Sequence, residues 1–237
     1  MKAKVLCGIA ALALALSLAA ADDPWKDAAY EKWNNGDVQK ILKSSPWGHE
    51  QVTATKETPR DEKAKATKIG GLSQPVDVPT ETVLVVWWSA KTMRRAILRQ
   101  AMLGGVKFKE EDARQFTETA MPDHEIVVWG DSKTLAALAR LEPAELKKAA
   151  YIDSPRLNMK IEAIAAVPEI QGNAPPDKIS FHFPRKLNGQ DTVTAEDKRL
   201  IFKWRLLRNS KDKLENAKMF EVVFSPNKMI SGGAADY

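Results

Sequence analysis

A single cysteine stands in this 237-residue chain, Cys7, and it lies near the start of an apolar leader. A chain cut after Ala21 therefore has none. That removes disulfides, thiolate nucleophiles, cysteine metal ligands and iron–sulfur clusters together, and leaves the hydrophobic core to hold the fold. Cys7 also comes too early in the apolar run to be the acyl-accepting first residue of a processed lipoprotein. Histidine is almost as scarce. His49, His124 and His182 are the whole set, no two of them are spaced as metal ligands on one helical face, and each reads as a surface residue. Glycine is missing where two common chemistries need it. No Gly-x-Ser-x-Gly elbow sits between a strand and a helix, and no glycine-rich turn opens onto a helix to cradle a phosphate. Neither a metal nor a cofactor is expected.

What is present begins with export. Met1–Ala21 has Lys2 and Lys4, an apolar run from Val5 to Ala15 reaching toward Leu18, and the small residues Ala19, Ala20 and Ala21 before Asp22-Asp23-Pro24. This is the tripartite pattern of a cleaved secretory signal, too short for a confident membrane span. The expected location is periplasmic or extracellular, with no transmembrane span after cleavage. Losing the two leader lysines lowers the net charge from +5 to +3. Such a mild excess, on an exported chain, argues against nucleic acid as a partner.

Residues 22–46 read as an N-terminal helical segment, with Val38, Ile41 and Leu42 on one face, Asp37 as N-cap, and Pro46 to stop it. Residues 47–237 read as an α+β domain. Its centre is Thr82–Trp88, a continuous β-branched and aromatic strand followed by Ser89, as a cap, and a helix over Ala90–Met102. The stretch 56–79, polar and rich in Lys, Thr, Gly and Pro, reads as a mobile loop inside this domain. A further helix is expected over Glu110–Ala120, with Phe116 inward, then a buried strand at Glu125–Trp129, a helix over Lys133–Leu141 capped by Ser132, and another from Pro143 to Ala150. The window Val85–Met93 echoes Val127–Leu135, as either a duplication or two strand-to-helix turns built by the same rules. Past Tyr151 the pattern predicts strands: one long one over Arg156–Val167, then Lys178–Phe183, Leu200–Leu206 and Met219–Phe224, the last three in one antiparallel sheet. The fold class is α+β, a mixed β-sheet with helices packed on it, with central strand-helix units followed by an antiparallel C-terminal portion.

Seven tryptophans against three tyrosines single out aromatic surfaces. Trp47, Trp88 and Trp129 are candidates for ligand stacking or partner contact, with core filling as the alternative. Arg94 and Arg95 are candidates for a carboxylate-binding patch, with an ordinary solvated helix face as the alternative. No opposed pair of acids is evident, so no catalytic residue is assigned.

The run Asp37–Trp47, with Trp33 upstream, the stretch Trp88-Ser89-Ala90-Lys91 before an arginine-rich helix, and the segment Phe220–Met229 together resemble an uncharacterised group of exported acidobacterial proteins. The resemblance implies an envelope or secreted setting and carries no activity with it. The function expected is a binding or structural interaction domain of the cell envelope, with an envelope protein or polysaccharide as partner. The alternative is a periplasmic or secreted hydrolase whose site is assembled from Asp, Glu and His.

Overall fold

Helix α1, Asn35–Lys43, starts one turn earlier than Asp37 would set it, because Asn34 and Asp37 close a capping box. The Asp37 amide donates to Asn34 Oδ1 at 3.0 Å and the Asn34 amide to Asp37 Oδ2 at 2.9 Å, so two orphan donors are satisfied at once. Val38, Ile41 and Leu42 are buried as their spacing requires. The chain then turns through Pro46 and Trp47 into β1, Gly48–Thr55. Gly48 permits this tight entry, since a Cβ there would collide with the Leu42 carbonyl oxygen. The computed structural model describes residues 23–27, 29–55, 80–169, 176–209 and 211–237. The expected leader and the expected mobile loop at 56–79 lie outside them.

The central unit forms as its sequence dictates. Strand β2, Thr80–Trp87, leads into α2, Lys91–Leu103, and α3, Glu110–Glu118, follows. Ser89 does not cap α2. Its hydroxyl instead accepts from the Glu125 amide at 3.2 Å, and the cap comes from far along the chain. The Asp236 carboxylate accepts from the Lys91 and Thr92 amides at 2.7 and 2.8 Å, placing a negative charge at the positive end of the helix. The segment around Asp236 is itself fixed, with Ile230–Ser231 paired to Ala234–Ala235 and the Trp47 indole donating to the Asp236 carbonyl at 2.5 Å. Phe116 on α3 is turned outward, against expectation, and Ala113 and Thr117 take the inner positions.

Strand β3, His124–Trp129, lies beside β2 and antiparallel to it. Asp131, not Ser132, caps the short helix Ser132–Leu135 that follows, and the expected longer helices break into Leu138–Arg140, Pro143–Leu146 and Lys147–Ala149 turns. The remaining strands of four or more described residues are β4, Ala150–Ser154; β5, Met159–Glu162; β6, Ala165–Glu169; β7, Lys178–Phe183; β8, Leu200–Leu206; and β9, Lys218–Phe224.

The α+β class holds, and every strand pair described is antiparallel, in the central units as well as in the C-terminal portion. One sheet runs from a two-residue strand at Ser44–Ser45 through β1, β2, β3, β7 and β6; the other runs β9, β8, β4, β5. Two expectations change here. The long strand over Arg156–Val167 is cut at Ala163–Ile164 into β5 and β6, which belong to different sheets; the small, buried Ala163 sits at the corner. Strand β7 leaves its two predicted companions and joins the first sheet, because Phe181 and Phe183 must face Phe202 of β8 across the gap rather than beside it.

The inner faces of the two sheets pack on each other as alternation demands. Trp87 meets Phe224 edge-on at 5.1 Å, His49 meets the same ring at 5.2 Å, and Phe181 and Phe183 lie about 6 Å from Phe202. Gln51 ties the layers by accepting from the Trp204 indole and donating to the Glu221 carbonyl, both at 3.0 Å. Helices α1 and α2 run against the opposite face of the first sheet, with Trp25, Trp33 and Trp47 in the same continuous core.

Candidate functional site

The aromatic and cationic candidates separate by position. Trp47 is fully buried, its ring against Trp25 at 5.5 Å, so it is a structural plug with no face for a partner. Trp88 is half-buried beneath Phe116, 6.2 Å away edge-on. Trp129 is half-buried at the end of β3. It does not sit beside Trp87: the antiparallel register pairs Trp129 with Leu84 and Trp87 with Ile126, so the two rings lie on opposite faces and at opposite ends of the pair.

Arg94 and Arg95 do not form a patch together. Arg94 is buried, donating to the carbonyls of Phe116 and Thr119 at 3.0 and 2.7 Å, and so ties α3 to α2. Arg95 and Lys91 both hold Glu118, at 2.5 and 2.9 Å. Burial works against the Glu118 charge, but these two cations overcome it and hold its carboxyl below the usual range. Both arginines are spent on joining helices.

The histidines divide as well. His124 is buried, 2% exposed, against Trp87, and burial, aided by the charge of Arg185, lowers its pKa to about 3. His49 is partly buried on Phe224, and burial lowers its pKa too. The surface reading therefore fails for His124: its strand enters the interlayer space at its first residue. His182 stands across β3–β7 from Glu125, its Nδ1 3.8 Å from Asp123 Oδ2, an ion-pair separation longer than a hydrogen bond. Glu125 is buried on the helix-side face, and burial raises its pKa against the hydrogen bond from Ser180. Among the described residues, no three His, Cys, Asp or Glu are placed to hold a metal ion.

Among the described residues, two clefts of ligand size bear on these candidates. The first, about 280 Å³, opens over the helix-side face of the first sheet, between α1, α2 and the ends of β2 and β3. Its lining combines Leu42, Leu84 and the half-buried Trp129 with Gln39, Gln100 and Asp131. Gly130 forms part of its wall, where a Cβ would stand 2.9 Å from Val83 Cγ1. Asp131 stays ionised to unusually low pH, chiefly because the Thr134 amide donates to its carboxylate at 2.7 Å. On the other side of Trp129, Lys178 Nζ stands 4.5 Å from the ring centroid while pairing with Glu169. An apolar platform with a few polar groups around it is the ordinary composition of a small-molecule site.

The second cleft, about 300 Å³, lies on the outer face of the second sheet, where the Lys147–Ala149 turn rises beside β4, β5 and β8. It is lined by Lys147, Lys148, Lys160 and Arg205 around Tyr151, with Glu162 as its one acid. Nothing in the sequence signals this cluster, since its three segments lie apart along the chain and each residue looks like an ordinary surface one.

The fold and its clefts define an antiparallel two-sheet α+β protein with a one-sided helical layer. No helix among the described residues is long and apolar enough to cross a membrane. No family model, curated protein or solved structure matches the chain.

Proposed function

We propose that this protein is exported to the periplasm or beyond, is cleaved after Ala21 to a cysteine-free chain, and serves as a binding domain of the cell envelope. The leader pattern supports export, and the resemblance to exported acidobacterial proteins supports the same setting. Its ligand is a saccharide unit of an envelope polysaccharide, received in the cleft beside Trp129. The observation that carries this reading is the join of one indole platform with two amides, Gln39 and Gln100, and the ionised Asp131 in a single groove. Indole faces stack on the apolar face of a sugar ring while planar amides and carboxylates meet its hydroxyls. The rival hydrolase would draw on Glu125, Ser180 and the Asp123–His182 pair, none of which lines either cleft.

The test is calorimetric titration of the purified protein with soluble oligosaccharides released from the envelope of its own host. Saturable binding is expected, weakened tenfold or more in Trp129→Ala, with α2 and the core intact by circular dichroism. Loss of one stacked ring and its water-excluding contact costs about 1.5–3 kcal/mol, which sets that factor. Binding unchanged in Trp129→Ala overturns the assignment of this groove, and turnover of the oligosaccharide would favour the rival.

A further inference from the structure

The outer face of the second sheet points to a separate site. We infer that the cleft above Tyr151 binds a small oxyanion carrying two or more negative charges, phosphoryl or carboxylate.

Alternation puts these cations where they are. Trp204 and Leu206 of β8 point into the core, so Arg205 between them points out; Ala150 and Ile152 of β4 point in, so Tyr151 points out; Ile161 of β5 points in, so Lys160 and Glu162 point out. Buried Leu146 and Ala149 pin the turn before β4 and leave Lys147 and Lys148 on its outer side. Three separate segments thus deliver positive charge to one concavity. Ala150 and Ala163 also line the space.

The charges are also uncommitted. Lys148 is paired with Glu145 at 2.6 Å, but Lys147, Lys160 and Arg205 form no ion pair among the described residues. Lys160 Nζ stands 4.8 Å from the centroid of the Tyr151 ring, and Arg205 Nη1 reaches the Lys148 carbonyl at 3.4 Å. The ring and the carbonyl hold both cations in place without neutralising them. The neighbouring Lys203 on the same face is instead neutralised by Glu221 at 3.1 Å and Asp153 at 3.5 Å. Cations that outnumber the acids around them repel one another, and an oxyanion in their midst relieves that repulsion. A guanidinium meets carboxylate or phosphate oxygens in pairs, and ammonium groups add point charges from the sides. A volume near 300 Å³ admits a small molecule rather than a folded partner.

The experiment is a titration of the full-length protein with pyrophosphate and, in parallel, with citrate, followed by amide chemical shifts in ¹⁵N-labelled protein and by calorimetry at low salt and at 0.3 M. Saturable shifts confined to residues around 147–162 and 205 are expected. Preference for pyrophosphate assigns a phosphoryl ligand; equal binding of citrate assigns a carboxylate one. The double variant Lys160→Gln/Arg205→Gln should bind tenfold or more weakly, and Lys228→Gln, away from the cleft, should bind as the parent does. Glu162→Gln, which removes the one acid lining the cleft, should bind more tightly by about threefold, since it takes a like charge away from the ligand. Absence of localised shifts with either anion overturns the inference, as does binding that survives the double variant or weakens in Glu162→Gln.

Discussion

Strands β2 and β8 are both central, both apolar on one side, and both packed through that side into the same interlayer core, yet their other faces have opposite fates. Behind β2 lie α1 and α2, so Val86 is buried and Leu84 half-buried at the edge of the groove. Behind β8 lie Lys203 and Arg205, half-exposed, with exposed Glu221 and Val223 beside them on β9. The difference comes from the connections. The first sheet receives helices between its strands, whereas the second is built of strands that return through turns and so has nothing to lay over its back. A covered face is committed to stability, and an uncovered one is free to meet a ligand. The proposed saccharide groove lies in a seam of the helical layer, and the cationic cleft lies on bare sheet.

The comparison breaks most sharply at Trp87. It is fully buried between the layers, edge-on to both Phe224 and His124. Trp87→Ala should cost about 3–5 kcal/mol, since it removes the largest side chain of that strand and leaves a cavity the two sheets cannot close. Urea unfolding at pH 7 measures it. A cost below about 1 kcal/mol would mean that the sheets are not held together through this ring.

A smaller effect, visible only on acidification, belongs to His124. In the unfolded chain its imidazole takes a proton near pH 6.5, but in the folded protein only near 3. Between those values the unfolded state binds the extra proton, so the stability conferred by the neutral ring is whole above about 6.5 and drains away as pH falls toward 3. The slope approaches about 1.4 kcal/mol per pH unit at most. Burial raises the pKa of neighbouring Glu125, and the sign there is reversed, with stability lost as pH rises through its folded value. Only a direct variant separates the two. Among the described residues His124 Nδ1 has no hydrogen-bond partner, so His124→Phe gives up no bond there and keeps the edge contact with Trp87. It should match the parent within about 1 kcal/mol at pH 7 and exceed it at pH 5. Equal losses for both proteins from pH 7 to pH 5, followed by denaturant melts, would assign the acid sensitivity to another group.

The sequence makes β2 and α2 readable almost to the residue because each is a long run with a single period and a clear stop. It makes the sheet partners unreadable for a physical reason. Whether β7 pairs with β8 or with β3 depends on what Phe181 and Phe183 face, and nothing within β7 records that. The alanines at 163, 165 and 166 carry no strong period, so the corner between β5 and β6 looks like one weak strand. The Asp236 cap on α2 is hidden for the same reason: its partner lies more than a hundred residues away, while Ser89 stands at the conventional place. Among the site candidates, Trp129 could be proposed from the balance of seven tryptophans against three tyrosines. Lys147, Lys160 and Arg205 could not, because each becomes notable only when topology brings it to the others.

The smallest effect tests the bare face itself. Lys203 bridges Glu221 and Asp153 across three strands, and the Glu221 hydrogen bond, set against a slight burial penalty, raises its pKa. The arrangement looks like a clasp on the second sheet. Water competes for every one of these charges, however, and the long lysine stem loses freedom in holding them, so an exposed cross-strand triad of this kind is worth less than about 1 kcal/mol. Lys203→Gln should therefore lower stability by that amount or less, with the loss shrinking further at 0.5 M salt. If unfolding instead shows a loss comparable to that of Trp87→Ala, the outer face of the second sheet carries structural weight equal to the interlayer core. The distinction between a covered face kept for stability and a bare face kept for ligands would then fail at the strand where it is drawn.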